Sequence, residues 1–406
     1  MYATDDVAVG PLAFVPRRVC LTSGDAARSA IGRTLWGEPG SPLAHLNLAP
    51  DEQLAAYLLT RVSMDAVSAG PAHPYHASLP PRDPFQAPLV LDVFPLFWKP
   101  EELEALQAPS LAALAATQRS RAEKIYVPLA TAFQNVTTVP HPPTPRLGDW
   151  LWALVCVRSR TFLPPPPPGE TASLWLEPLV DCVNHAAFEH RNTLHSYVPP
   201  GTPGRTLPNL SGAAGEHGAA ALAALRPLKA GEQVLISYRD ATPGGALGAA
   251  DSLLRYGYLP LDPRAAPFAV SAKEAEAARA RLAAAVDAAT AAGAPPEALL
   301  QSALAAWSRE ITAAVAKDAK LALDADTRPA SLAARFRLGR ALALARAAMD
   351  KLPEEERMGQ GLMAGVAAGS KESRLNADGR RLIYAGLAHV ERPPLTPEQA
   401  LAAMDA

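Results

Sequence analysis

Apolar residues recur at helical spacing in three segments of the first half of the chain. In DEQLAAYLLTRV (51–62) the apolar side chains fall on one helical face and acids occupy the first turn, which predicts a helix. The segment 99–134 reads as two helices. GDWLWALVCVRSRTF (148–162) predicts a helix capped at Asp149, with an apolar stripe formed by Trp152, Val155 and Cys156.

Other segments follow strand and turn patterns. Residues 1–48 and 174–262 predict short strands, turns and loops. The alanines from Ala219 to Leu225 favour helix by propensity, but Pro227 and Gly231 just beyond them favour strand–turn–strand. Beyond about residue 268 the periodicity is helical, and it predicts helices at 272–292, 296–324, 329–351, 374–389 and 397–404. The pattern therefore indicates an α+β chain, with an interrupted β-rich lobe followed by an all-α lobe.

Composition narrows the function classes. The chain has 406 residues and a formal net charge of −2, so no excess of positive charge favours nucleic acid. The three cysteines are far apart, which argues against a disulfide framework and for a reducing compartment. No apolar run reaches the length of a membrane span. We expect a monomer that binds neither nucleic acid nor membrane.

The densest cluster of polar chemistry lies in LEPLVDCVNHAAFEH (176–190). A zinc site would use Cys182, His185, His190 and His195, but this spacing differs from that of paired zinc ligands, and we predict no metal. A nucleophilic Cys182–His185 pair would lie unusually close in sequence. Alternatively, Asp181 and Asn184 cap a turn and His185 fills a gap in the core. We expect Cys182 to be a small buried residue, and His190 and His195 to lie in solvent or in a variable loop.

This stretch belongs to an ordered series of motifs. LAFVPRRVCLT comes first, then P-Y-x₃-L-P at 74–80 and W-A-x₃-V-x-S-R-x-F at 152–162. P-x₂-D-x₂-N-H, G-E-x-V-x-I-x-Y and Y-G-Y follow, at 178–185, 231–238 and 256–258. The series resembles the SET-domain methyltransferases, in the branch of the Rubisco large-subunit lysine methyltransferase, over nearly the whole chain.

The resemblance implies a β-rich SET fold with a pseudoknot, interrupted by a helical insertion and followed by an all-α C-terminal domain. It places the first part of the SET domain at 1–48, the insertion at 49–148, the second part at 149–265 and a helical substrate-binding domain at 266–406. It also implies S-adenosylmethionine as the cofactor and a lysine of a protein as the methyl acceptor.

The same resemblance implies roles for individual residues. Tyr238 would be the catalytic tyrosine of a channel that accepts weak C–H···O contacts from the transferred methyl group. The residues implied to hold the cofactor are Arg160, Asp181, Asn184, His185 and Tyr256, and those implied to line the substrate channel are Tyr197 and Tyr258.

Three features depart from the family pattern. The glycine-rich turn that opens a SET domain is missing before MYAT. Either Met1 lies inside a longer reading frame, which we expect, or the protein lacks part of the cofactor site. Gly248 and Ala249 replace a Ser-Asn pair, and Tyr258 replaces the more common Phe.

Two function classes follow. The first is a protein-lysine methyltransferase acting on the Rubisco large subunit or another chloroplast or cytosolic protein, with a histidine methyltransferase of the same branch as a close variant. The second is a SET-like scaffold that binds a partner without catalysis. We expect the chloroplast or cytoplasm, or the nucleus, as the compartment.

Overall fold

The computed structural model describes residues 1–67, 74–82, 91–135, 144–166, 171–186, 190–200, 218–238, 248–259, 268, 270–293 and 328–349. The strands are β1 (Gly10–Pro16), β2 (Leu21–Thr22), β3 (Thr161–Phe162), β4 (Trp175–Leu176), β5 (Asn184–His185), β6 (Thr193–Val198), β7 (Ala219–Ala224) and β8 (Leu235–Ile236). The helices are α1 (Ser23–Arg28), α2 (Ala30–Gly32), α3 (Pro50–Val67), α4 (Pro74–Ser78), α5 (Pro100–Glu104), α6 (Pro109–Gln134), α7 (Leu147–Arg160), α8 (Ala249–Tyr256), α9 (Ala272–Ala291) and α10 (Arg328–Met349).

The chain divides into two compact units. The first comprises Met1–Trp98, Ala112–Leu247 and Asp251–Gly257, and the second comprises Lys99–Leu111, Gly248–Ala250 and Tyr258–Ala406. The domain boundaries drawn from the sequence stay predictions. Within the described helices, none combines the length and the apolar character that crossing a bilayer would require.

Small sheets form the β part of the first unit. One has the order β1–β7–β6 and another the order β2–β4–β3, and both are antiparallel, whereas β5 and β8 pair in parallel. β7 is a buried central strand although it consists largely of alanine. The strand–turn–strand prediction for this segment is therefore confirmed, because pairing on both sides outweighs the helical propensity of alanine.

Helix α7 passes through the main core of the first unit. Every residue from Asp149 to Val157 is buried, so the predicted single stripe was too narrow, and the helix is enclosed on all sides. The Asp149 side chain accepts a hydrogen bond from the backbone N–H of Arg146 at 2.8 Å, which caps the helix from within its first turn. Trp150 donates its indole N–H to the carbonyl of Ala122 at 2.9 Å and thereby joins α7 to α6. The enclosed helix ends at Arg160, next to the candidate site.

The strand-and-turn prediction was wrong for two stretches. Residues from Ser23 to Gly37 are helical, with Thr22 capping α1 through a bond from the Asp25 N–H to its hydroxyl at 3.0 Å. Residues Ala249–Tyr256 form α8, which ends at Gly257. The sequence contains the signal for that end, because a glycine directly after an apolar helical turn commonly adopts the left-handed conformation that stops a helix.

The described part of the second unit is helical. Ser271 caps α9, and its hydroxyl accepts a hydrogen bond from the Glu274 N–H at 3.2 Å. Glu274 also pairs with Arg340 of α10. The predicted helices at 272–292 and 329–351 are confirmed within one or two residues, as far as the structure describes them. Those at 296–324, 374–389 and 397–404 lie outside the described residues.

We expect Gly257→Ala to destabilise the first unit by about 2–4 kcal/mol. The backbone has φ of +65°, and an added Cβ would lie 2.7 Å from the Val93 side chain and 3.1 Å from Phe94. Left-handed backbone costs a non-glycine residue about 1–2 kcal/mol, and overpacking adds about as much again. Denaturant unfolding measures the loss. Gly231→Ala is the matched control, since its φ is +82° but its Cβ would meet nothing within 4 Å. Equal losses in the two variants would contradict the predicted clash.

Candidate functional site

The parallel pairing of β5 with β8 brings together residues that are far apart in the sequence. Asn184 lies opposite Leu235 and His185 opposite Ile236. Tyr238 follows β8, and its backbone N–H donates to Nδ1 of His185 at 3.0 Å. The two rings lie 5.0 Å apart. Since Nδ1 accepts a hydrogen bond, the proton of neutral His185 resides on Nε2.

Tyr238 is held at both ends. Its hydroxyl donates to the carbonyl oxygen of Val183 at 3.0 Å, and its ring lies 4.7 Å from that of Tyr256 at the end of α8. Burial, assisted by the neighbouring Tyr256, raises the pKa of Tyr238 above its ordinary value. The hydroxyl therefore stays protonated at neutral pH. Because its hydrogen is directed to Val183, its oxygen lone pairs remain able to accept contacts.

Arg160, at the end of α7, lies against the turn that precedes β5. Its Nη1 donates to the carbonyl oxygen of Asp181 at 3.1 Å and lies 3.5 Å from Oδ2 of the same residue. The hydroxyl of Tyr75, from α4, donates to Oδ2 at 2.9 Å. Burial raises the pKa of Asp181, and Arg160 and Tyr75 oppose that rise. The Arg160 side chain is 22 % exposed, so it is not closed off from a ligand.

Asn184 presents its side chain to solvent directly beside this cluster. A primary amide offers both donors and acceptors, and this one makes no hydrogen bond within the described part of the chain. Leu179, which precedes the turn at Val180–Cys182, has φ of 72°. Such backbone is strained for a branched side chain, and strained residues cluster at functional sites.

The structure thus brings Arg160, Asp181, Asn184, His185, Tyr238 and Tyr256 into one region of the first unit. Tyr197 has other partners. It lies on β6, and its hydroxyl donates to Oε1 of fully buried Glu177 at 2.9 Å. Tyr258 belongs to the second unit, and the channel roles proposed for both tyrosines stay predictions.

The structure contradicts the prediction that His195 lies in solvent or in a variable loop. It lies on β6, its side chain is 9 % exposed, and its Nε2 lies 2.8 Å from Oε2 of Glu177. Its ring also packs 4.4 Å from that of Phe162. A buried carboxylate needs polar partners, and here a histidine and a tyrosine provide them. Sequence reasoning missed Glu177 because its partners lie on another strand.

The histidines and the cysteine of the zinc hypothesis have different partners. The thiol of Cys182 faces Oδ1 of Asp181, His185 accepts from Tyr238, and His195 pairs with Glu177. Among the described residues, no three His, Cys, Asp or Glu side chains converge as metal ligands would.

We expect stability to fall as the pH is lowered from about 6.5 to about 4, in part through His185. Burial lowers the pKa of His185 from 6.5 to about 4. In that interval the unfolded chain binds a proton that the folded chain does not, so acid favours unfolding. Thermal unfolding across this range measures the effect. His185→Asn removes the titrating group and keeps an acceptor at the Nδ1 position, so its stability should depend less on pH. The same acid dependence in both proteins would exclude His185 as its source.

Comparison with known proteins gives a result at the level of the fold. No family model and no curated protein matches the chain. Among solved structures, the SET domain of LSMT bound to lysine and AdoHcy matches with a TM-score of 0.52 and 16 % identity, over 100 % of this chain and 91 % of that one. Rubisco LSMT bound to sinefungin and monomethyllysine matches with a TM-score of 0.49 and 15 % identity, over 99 % and 92 %. The first match shows that the chain has the fold of the LSMT SET domain.

Proposed function

We propose that this chain, folded like the SET domain of LSMT, is an S-adenosylmethionine-dependent protein-lysine N-methyltransferase. One observation supports this most strongly. The protonated hydroxyl of Tyr238 is anchored on Val183, its ring contacts the rings of His185 and Tyr256, and the exposed amide of Asn184 lies on the same strand pair.

The residues present fit the proposed cofactor. Arg160, whose side chain is partly exposed, provides a guanidinium for its carboxylate, and Asn184 provides an amide for its polar groups. The neighbouring rings of Tyr238 and Tyr256, tilted by 39° to each other, provide aromatic faces, which favour a cation. Bound S-adenosylmethionine would supply an electrophilic methyl group on a positively charged sulfur.

Methyl transfer requires little acid–base chemistry from the chain's own residues. The acceptor amine must arrive neutral, in line with the methyl group, at a site from which water is excluded. Tyr238 suits this task because its donated hydrogen fixes its ring and leaves its oxygen as an acceptor for polarised C–H groups. Neutral His185 holds the backbone of Tyr238 in place without adding a positive charge that would repel the sulfur.

The acceptor protein and the compartment belong to the same proposal. The Rubisco large subunit or another chloroplast or cytosolic protein would provide the lysine, and the helical C-terminal part of the chain would bind that protein. The pseudoknot and the substrate-binding role of residues 266–406 are expected on the same basis.

Calorimetric titration of AdoHcy tests the cofactor site first. We expect the chain to bind and Asn184→Ala to bind at least about tenfold more weakly, the effect of one lost hydrogen bond to a polar ligand. Labelled methyl from S-adenosylmethionine is then offered to a protein extract, and the labelled amino acid is identified after hydrolysis. Labelled methyl-lysine would support the proposal. Labelled methyl-histidine would show instead that the acceptor is a histidine. A chain that binds no AdoHcy would be a scaffold.

A further inference from the structure

Tyr75 connects a helix of the predicted insertion to the candidate site. It lies on α4, its residue is 4 % exposed, and its hydroxyl donates to Oδ2 of Asp181 at 2.9 Å, across 106 positions of sequence. In the sequence, Tyr75 is the second residue of the P-Y-x₃-L-P motif. A buried tyrosine hydroxyl commonly has a hydrogen-bond partner, and this one is bonded to the residue that Arg160 also contacts.

The carboxylate of Asp181 has charged or polar groups on several sides. Its side chain is 0 % exposed, with Tyr75 donating to Oδ2, the thiol of Cys182 facing Oδ1 at 3.6 Å, and Arg160 lying 3.5 Å from Oδ2. A buried carboxylate is costly unless such partners compensate for lost hydration.

The distances show that Arg160 is not fully engaged by this carboxylate. Its firmer bond is to the main-chain carbonyl of Asp181, at 3.1 Å, and its approach to Oδ2 is longer, at 3.5 Å. Tyr75 has the short bond to Oδ2. Because Tyr75 satisfies that oxygen, the guanidinium is not drawn into a close two-pronged pair, and its exposed part stays available.

We propose that Tyr75 is a positioning residue for the cofactor site: it holds the carboxylate of Asp181, and through it keeps the guanidinium of Arg160 directed at the carboxylate of the ligand. The inference rests on the proposed function. It assigns a role in ligand binding to a helix remote in sequence from the motif that contains Asp181, Asn184 and His185.

Removing the hydroxyl of Tyr75 should have two effects. In Tyr75→Phe, Arg160 closes on Oδ2, and we expect AdoHcy affinity to fall about 10-fold to 150-fold, the usual effect of one hydrogen bond to a charged group. The KM for S-adenosylmethionine should rise with little change in kcat. The lost hydroxyl would raise the pKa of Asp181, but the closer guanidinium would lower it by more, so the loss of affinity on acidification should begin at a lower pH in the variant.

The experiment is a titration of AdoHcy into the full chain and its variants between pH 5 and 8. Tyr126→Phe is the matched control, because Tyr126 is partly buried against the same core but lies on α6. A double-mutant cycle with Arg160→Ala separates positioning from packing. If Tyr75 acts through Arg160, the double variant should bind no more weakly than Arg160→Ala alone.

Unchanged affinity and an unchanged pH profile in Tyr75→Phe would overturn the inference, as would fully additive losses in the cycle. If Tyr75→Phe does not fold, Asp181→Asn is the second variant. It keeps the shape but removes the charge, and it should weaken AdoHcy binding and abolish the acid dependence. Should even the unmutated chain fail to bind AdoHcy, the proposed function is wrong and this inference is wrong with it.

Discussion

We expect Tyr238→Phe to lower kcat for methyl transfer by about 100-fold or more while AdoHcy affinity changes by less than about threefold. Removing one well-placed polar group from a reaction centre typically costs about 100-fold to 1,000-fold in rate. The aromatic contact with Tyr256, at 4.7 Å, and the backbone bond to His185 remain in the variant. The lost hydroxyl therefore affects the transfer step more than ligand binding.

Single-turnover rates and AdoHcy calorimetry on the same preparations measure the two quantities separately. The carbonyl of Val183 loses its donor, so stability should fall by about 1 kcal/mol. Tyr126→Phe, on α6 and outside the set of site residues, should leave both the rate and the affinity unchanged. A Tyr238→Phe variant that transfers methyl at the full rate would remove the tyrosine from the mechanism.

The largest effect on stability should come from Trp150→Ala, with a loss of about 3–5 kcal/mol in the free energy of unfolding. The side chain is 0 % exposed in the centre of the main core, and its indole N–H bonds to the carbonyl of Ala122. Truncation of a buried Trp leaves a cavity whose lining relaxes only partly. Since α7 ends at Arg160, the variant should also bind AdoHcy more weakly as it approaches its unfolding temperature.

Denaturant unfolding gives the free energy. Val127→Ala is the control, because Val127 also lies on a helix but is 64 % exposed, and its truncation should change stability by less than about 0.5 kcal/mol. Similar losses in both variants would mean that α7 is not the packing centre of the unit.

Apolar periodicity correctly predicted the elements in which a long pattern is supported by the residues on either side of it. The helices α3, α6 and α9 form where the apolar spacing is helical, and α9 begins directly after its capping residue Ser271. α8 was missed because eight residues contain too little periodicity to separate helix from strand, and the glycine after it was interpreted only as part of a motif. The buried β7 was recognised from the turn residues beyond it rather than from its alanines.

The site was predictable as a set of residues but not as a set of contacts. Motif order identified Asp181, Asn184, His185 and Tyr238, which lie on or directly beside the paired strands β5 and β8. The bonds from Tyr75 to Asp181 and from His195 to Glu177 have no sequence signal, because their partners come from other elements. A sequence pattern describes which face of its own element a residue occupies, and it does not identify what lies across from that face.

The strand pairings also have a consequence for how the chain folds. β1 pairs with β7, so that Gly10 lies opposite Ala224, and β2 pairs with β4, so that Leu21 lies opposite Leu176. The paired strands are far apart in the sequence. Closing the long loops between them costs entropy before the new contacts offset that cost, and chains rich in such distant contacts fold slowly. The helices, whose contacts are local, can form early, whereas β5 and β8 must wait for distant segments to meet. Activity should therefore return later than helical content when the protein is refolded.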